Sequence, residues 1–225
     1  MKQKLIRQYD GKPAEVMSKT FQEMSKNSVS HFRKVLKLPK KKMKLLDIGF
    51  GEGTDLIHYQ KQVGPVFGVD TSADFLEIVK QKNIRGMFKI ESCEKTSFKN
   101  NFFDVIVSKY VLQTLPSLEK TYNEVFRILK KGGIFQFLVV HPMRQYFEKK
   151  DICADYFEQK IVESVIFDSA FTVMEPTHTF QEILSKNFLE KFELVQVEEA
   201  YDFPASEQIE GRWYPTYLII KAKKK

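Results

Sequence analysis

The chain has 225 residues, 43% of them hydrophobic, and a formal net charge of +7; that length suits a single domain with a full core and room for an inserted cap. No run approaches the ~18 apolar residues of a membrane helix, and Met1 to Arg7 develop no leader-like apolar stretch. Cys93 and Cys153 form no C-x-x-C pair, which argues against a disulfide framework or a zinc site, so a reduced, cytoplasmic enzyme without a metal is expected.

Residues 1 to 44 hold 13 Lys or Arg against 3 acids, and the last five residues add four lysines. Such runs are usually solvated surface. The alternative is steering of an acidic partner, tRNA or a phosphorylated metabolite, although no RNA-binding aromatic motif accompanies it. Val16, Phe21, Met24, Phe32, Val35 and Leu36 fall at helical spacing within residues 12 to 38, and Pro39 with lysines 40 to 42 closes that region.

An apolar strand then ends in Asp47 and is followed by Gly49, Gly51 and Gly53 around Phe50. Glycines lacking a Cβ permit a tight turn and a close ligand approach. A helix is predicted over Asp55 to Gln62. A second strand, Val66 to Val69, stops on Asp70, an acid placed to accept hydrogen bonds from ribose hydroxyls. The glycine spacing is wrong for the G-x-G-x-x-G nicotinamide fingerprint, because position 54 is Thr54, and no P-loop pattern is present. Asp70 would also repel a 2′-phosphate. The pattern therefore fits a ligand with a ribose and no pyrophosphate.

A helix over Ala73 to Lys80 takes Thr71 or Ser72 as its N-cap. Strands follow near Met87 to Ile90 and Val105 to Val107. Leu118 to Lys130 reads as an amphipathic helix ended by Gly132-Gly133, and Ile134 to Val140 as a strand buried on both faces. Alternating strands and helices predict an α/β fold with a parallel sheet. Its ligands bind at the strands' carboxyl ends, where Gly49, Asp70, Ser92, Ser108 and His141 all fall.

Residues 141 to 178 break this rhythm. Ile161 to Ile166 and Ala170 to Met174 suggest a hairpin turning at Asp168-Ser169, in an aromatic segment read as a cap over the pocket. A helix at Thr179 to Leu189 and strands near Leu194 to Glu198 and Thr216 to Lys221 complete the chain, with Trp213 expected to pack beneath the last strand.

The motif Leu45-Leu46-Asp47-Ile48-Gly49-Phe50-Gly51-Glu52-Gly53 resembles the first motif of the class I S-adenosylmethionine-dependent methyltransferases. Asp70 matches that family's ribose acid. Ser92-Cys93-Glu94 lies where the family has Asp-Ala-Glu at the adenine, so that contact is weakened by Ser92 or moves to Glu91 or Glu94. Phe103 to Ser108 looks like the fourth strand, and Leu112-Gln113-Thr114-Leu115 like the segment that follows it. Arg127 to Gly133 resembles the Arg-x-Leu-Lys-Pro-Gly-Gly turn, with Lys131 in place of Pro. The match covers about Lys44 to Val140. His141-Pro142, Tyr156-Phe157 and His178-Thr179-Phe180 resemble the small-molecule, type 11-like branch.

The resemblance implies a Rossmann-like seven-stranded sheet, mostly parallel with an antiparallel last strand, and S-adenosylmethionine as cofactor. Residues 1–43 would form a helical arm, 44–140 the cofactor core, 141–178 the cap, and 179–225 a helix and edge strands. Tyr9, Asp47, Gly49, Phe50, Gly51, Gly53, Asp70, Thr71, Ser92, Cys93 (through its amide), Glu94, Ser108 and Lys109 are the expected cofactor residues. Gln113, Tyr146 and Tyr156 are expected at the substrate.

A sulfonium leaves readily, so positioning dominates and a base is needed only for a protonated nucleophile. His141 is then either a base or acceptor contact, or a hydrogen-bonding partner of the cap backbone. His178 is either a second such group or a cap for the next helix. His31 and His58 read as ordinary surface or core residues. The expected activity is methylation of a small molecule at O, N or C. The alternatives are a tRNA or protein methyltransferase, and a partner subunit that keeps the fold without turnover.

Overall fold

The computed structural model describes residues 9–11, 14, 26–39, 41–149, 155–166, 171–202 and 213–225. Val16, Phe21, Met24, Cys153 and the expected turn at Asp168-Ser169 lie outside the described residues.

The described chain runs α1 (Lys26–Leu36), β1 (Leu45–Ile48), α2 (Thr54–Val63), β2 (Val66–Asp70), α3 (Ala73–Gln81), β3 (Gly86–Ile90) and β4 (Phe103–Lys109). A single 3-10 turn, Leu112–Thr114, leads to α4 (Glu119–Ile128), β5 (Leu129–Val140) and α5 (Pro142–Lys149). The remainder is β6 (Ile161–Ile166), β7 (Phe171–Pro176), α6 (Phe180–Ile183), α7 (Lys186–Lys191), β8 (Phe192–Ala200) and β9 (Tyr217–Lys224).

Seven strands form one sheet in the order β3-β2-β1-β4-β5-β9-β8. The first five are mutually parallel, and β9 runs antiparallel to both β5 and β8. Strand order reverses between β1 and β4, which opens a crevice above their carboxyl ends. The strands β6 and β7 form a separate antiparallel hairpin, Ile161 opposite Pro176 through Ile166 opposite Phe171.

The period-2 alternation of strand side chains divides the core. Leu46, Ile48, Ile106, Phe135 and Phe137 pack on one face with Tyr122, Phe188 and Phe192. Leu45, Val105, Val107 and Leu138 pack on the other with Phe32, Leu56, Tyr59 and Phe75. All four residues of β1 are buried, and each buried aliphatic or aromatic side chain contributes about 1.5–3 kcal/mol.

Several boundaries differ from the sequence reading. The helix expected to reach Lys130 ends at Ile128, and β5 begins at once at Leu129. Gly132, with φ +73°, is therefore no helix cap. It lies in the irregular start of β5, where the register with β4 shifts between Phe103 and Val105. The helix expected over Thr179 to Leu189 is two short helices, because the Ser185 hydroxyl accepts the Phe188 amide and starts a second one. Trp213 is not packed beneath the last strand; it is exposed and stacks on Tyr201 with ring centroids 4.6 Å apart.

Candidate active site at the carboxyl ends of the strands

The glycine loop leaves β1 with left-handed backbone at Gly49, Gly51 and Gly53, at φ +72°, +51° and +82°. The Gly49 amide donates to the Val69 carbonyl at 2.7 Å, which ties the loop to β2. A Cβ at Gly49 would collide with the Val111 side chain. The Phe50 side chain turns away from the crevice into the core, edge-on to Phe88. It lies over Gly68, where a Cβ would stand 2.6 Å from its ring. Phe50 is thus left its backbone to offer a ligand.

Asp70 closes the β2 end. Its carboxylate accepts the Gly51 amide at 2.9 Å and the Ser72 amide at 3.0 Å. Burial raises its pKa, opposed by the amides of Ser72, Gly51 and Thr71. A carboxylate has about four acceptor sites, so capacity remains for a hydroxyl donor. Ser72, not Thr71, caps α3: its hydroxyl accepts the Phe75 amide at 3.2 Å. That hydroxyl also donates to the Tyr9 carbonyl, while the Asp10 carboxylate accepts the Ala73 amide at 3.0 Å. The arm segment Tyr9–Gly11 is thus pinned to the start of α3, where a carboxylate is favoured by the helix dipole. Burial and then the charges of Glu175 and Asp70 push the Tyr9 phenol's pKa up, so arm, cap hairpin and β2 end converge here.

Asp47 and Lys109 belong to a buried charge cluster beneath the loop. Asp55, on the first turn of α2, pairs with Lys109 and with Arg33, whose Nη2 lies at 2.7 Å. Burial raises the Asp47 pKa far above the carboxylate range, and the Asp55 charge adds to it. The Lys109 ammonium is therefore engaged with Asp55. The Ser108 hydroxyl is likewise spent inside the sheet, donating to the Ile48 carbonyl at 3.1 Å.

At the β3 end, the Ser92 hydroxyl accepts the Glu94 amide at 3.2 Å. The Cys93 thiol is buried against Thr121, and burial lifts its pKa to about 11. The Glu91 carboxylate takes the amide and hydroxyl of Ser97.

The two histidines part company. His141 is buried with both ring nitrogens engaged: Nδ1 accepts the Met143 amide at 3.1 Å and Nε2 contacts Glu199 at 2.7 Å. Through these contacts it joins the start of α5 to β8. His178 is 4% exposed, and neither nitrogen has a hydrogen-bond partner; Nδ1 stands 3.6 Å from Glu182. Gln113, in the 3-10 turn against which β7 packs, is buried with its Oε1 also unpartnered. Gln145 accepts the His178 amide at 3.3 Å and fixes that backbone. Tyr156 accepts the Phe180 amide at 2.6 Å and meets Tyr146 edge-on at 6.1 Å.

Three residues escaped the sequence reading. Tyr110, first past β4, has φ +55°, donates to the Asp202 carboxylate and accepts from the Ser28 hydroxyl; its place at a strand end was the available signal. Asp55 was visible as an acid in the first turn after the loop. Glu175 shares the inward register of the cap hairpin with Val173, and burial raises its pKa. Among the described residues no group of three or more His, Cys, Asp and Glu could hold a metal, and no helix is long and apolar enough to cross a membrane.

A family profile described as a methyltransferase domain matches residues 46–137. Demethylmenaquinone methyltransferase of Staphylococcus aureus is 30% identical over 172 residues, covering 73% of this chain and 69% of that protein. Phosphoethanolamine N-methyltransferase 2 of Caenorhabditis elegans is 29% identical over 122 residues, covering 52% of this chain but 28% of that protein. The chain thus spans well under half of some relatives it matches. A solved Listeria monocytogenes protein assigned to the S-adenosylmethionine-dependent methyltransferases superposes with a TM-score of 0.72 at 22% identity, covering 88% of this chain and 100% of that one. At that identity the superposition speaks for the fold alone.

Proposed function

The chain belongs to the class I S-adenosylmethionine-dependent methyltransferases, and from that premise we propose that it methylates an O, N or C atom of a small molecule enclosed beneath the β6–β7 cap. S-adenosylmethionine, the family's cofactor, supplies a methyl group on a positively charged sulfur that leaves without further activation. The bare backbone of Gly49 and Gly51 would hold it, with Asp70 receiving a ribose hydroxyl. Tyr9 and Thr71 would border that site, and the Ser92–Glu94 turn would flank the adenine through the Cys93 amide.

The protein's own contribution is placement. An acceptor atom held in line at about 3–3.5 Å gains several kcal/mol from position alone. One observation carries the reading of an enclosed acceptor: Gln113 Oε1 and both His178 nitrogens are buried without a hydrogen-bond partner, Nδ1 standing 3.6 Å from Glu182. An unsatisfied buried polar atom costs about 1–3 kcal/mol, and a bound polar molecule relieves that cost. His178 is the better base, since the nitrogens of His141 are already spent. Tyr146 and Tyr156 border the cap and would shape the acceptor's pocket. The names of the relatives point the same way, to phosphoethanolamine and demethylmenaquinone as acceptors of those proteins.

Methyl-labelled S-adenosylmethionine, incubated with the protein and a cell extract, tests the reading after separation into metabolite, RNA and protein fractions. Label in the metabolites is expected. Label confined to a nuclease-sensitive or protein fraction overturns it.

A further inference from the structure

Tyr110 leaves β4 with φ +55°, in the left-handed region that a bulky side chain rarely enters. Two other non-glycine residues among those described have positive φ: Lys37, just past α1, and Asn101, before β4. Tyr110 alone of the three stands at the carboxyl end of a central strand, where backbone strain points to function. A glycine would make this turn without strain, so the reason for a tyrosine lies in its side chain.

The phenol joins distant parts of the chain. It donates to the Asp202 carboxylate at 3.1 Å and accepts from the hydroxyl of Ser28, a fully buried residue of α1, at 2.9 Å. Asp202 accepts the Ser28 amide at 2.6 Å through its other oxygen. The Asp202 amide donates to the Thr216 hydroxyl at 3.0 Å, and the Thr216 carbonyl accepts the His141 amide at 3.0 Å. The exits of β4, β5 and β8 and the arm helix are thus tied through one hydroxyl. On its backbone side, the Tyr110 amide donates to the Leu138 carbonyl at 2.8 Å. Val111 comes next and packs where a Cβ on Gly49 would stand. Gln113 follows in the turn that meets β7, buried and with Oε1 lacking a partner.

On the reading of an enclosed acceptor, we infer that Tyr110 is a positioning residue for methyl transfer. Its phenol holds the turn carrying Val111 and Gln113 against the arm and the β8 exit, and that grip sets the acceptor side of the pocket relative to the glycine loop. Tyr110 acts through Gln113, not by contact with either reactant. Misplacement of a reacting group by about 1 Å can cost about 100-fold in rate, so a shift of this turn is felt in turnover.

Tyr110→Phe keeps the ring and its packing and deletes the hydroxyl; Tyr110→Gly deletes strain and grip together. Each full-length variant and wild type are given saturating methyl-labelled S-adenosylmethionine and a cell extract, and cofactor affinity is read separately by calorimetry. Initial labelling rates should fall about tenfold or more in both variants. The cofactor's Kd should stay within about threefold, because Gly49 keeps its bond to Val69. Asp202→Asn leaves the phenol a weaker, uncharged acceptor and should fall between. A wild-type rate in Tyr110→Phe overturns the proposal, and so does a recovered rate in Tyr110→Gly, which would make the turn alone sufficient. A lowered melting temperature with an unchanged rate for the folded protein overturns it too, as does a loss of cofactor affinity equal to the loss of rate. The ratio of rates is taken in whichever fraction wild type labels. Label confined to RNA or protein would therefore sink the small-molecule reading and leave that ratio to judge Tyr110.

Discussion

The side chain of Val111 fills the space in which a Cβ on Gly49 would stand. Gly49 also holds φ +72° while donating to Val69, so the exits of β1, β2 and β4 are locked together at one atom-sized gap. Gly49→Ala combines backbone strain with overpacking and should destabilise by about 2–4 kcal/mol. It should also weaken S-adenosylmethionine binding at least about tenfold. Val111→Ala in the same chain should restore part of the stability. Thermal unfolding and calorimetric titration check both statements; wild-type cofactor affinity in Gly49→Ala would refute the role given to this gap.

Asp55 and Asp47 share a buried cluster and answer oppositely to pH. Burial favours a raised pKa at Asp55, but Lys109 and Arg33 reverse it and hold the carboxyl below its ordinary range. Its stabilisation is full above the ordinary value near 4 and is lost as pH falls through the lowered folded value. At Asp47 burial wins and the pKa is raised, so its contribution is present below about 4 and is lost as pH rises through the folded value. Asp47→Asn should therefore leave stability at pH 7 unchanged or higher. Asp55→Asn should lower it by about 3 kcal/mol, because two cations lose their partner. Denaturant titration of both variants decides the order, and the reverse order would contradict this assignment of charge.

Whatever in the site depends on backbone shape or near neighbours was readable in the chain. Gly49 to Gly53, Asp70 and the Ser72 cap are of that kind, as are the doubly buried strands that announce a parallel sheet. The rest depends on partners far away in sequence. His141 meets Glu199 across 58 positions, Ser108 reaches Ile48 across 60, and Tyr110 reaches Asp202 across 92. No local pattern predicts which polar groups will be consumed by such pairings. Phe50 shows the same gap within a motif: its direction is set by the room that Gly68 leaves, 18 residues on. The break in the helix near Ser185 was in principle visible, since Ser is a good N-cap, but the apolar spacing runs across it.

Asp70 offers its remaining acceptor capacity at the mouth of the loop, with two amides already fixing its orientation. Asp70→Asn keeps the shape but loses the charge and one acceptor oxygen. A charge-assisted hydrogen bond contributes about 1.5–3 kcal/mol, so S-adenosylmethionine should bind about 10–100-fold more weakly. Methionine, which lacks the ribose, provides the control in a competition titration. An equal loss for methionine would locate the effect in the loop and not at the ribose.

His141 acts as a joint, and its acid response follows from its bonds. Burial lowers its pKa, with the Glu199 contact opposing. The neutral ring is needed because Nδ1 accepts the Met143 amide. The stability it contributes is therefore present above the ordinary histidine value near 6.5 and is lost as pH falls through the lowered folded value. His141→Gln should cost about 1–2 kcal/mol at pH 7.5 and flatten the fall in stability below pH ~6. Unfolding curves across that range test it, and an unchanged slope would remove His141 as its source.

His178 should behave in the opposite way. Its nitrogens are buried and unsatisfied, so the folded protein carries a cost of about 1–3 kcal/mol that an apolar ring or chain would not. His178→Leu removes those atoms at similar volume, and the melting temperature should hold or rise. If the ring orients or deprotonates the acceptor, kcat/KM for the acceptor identified by label transfer should fall about 100-fold. Affinity for S-adenosylmethionine should stay within about twofold, because the cofactor residues lie on other strands. His178→Gln, which restores polarity without a titrating group, separates the two roles. Recovery of rate in that variant identifies a positioning hydrogen bond, and a persistent loss with a flattened pH–rate profile identifies a base. A variant that is less stable than wild type and equally active would show that the ring serves packing alone.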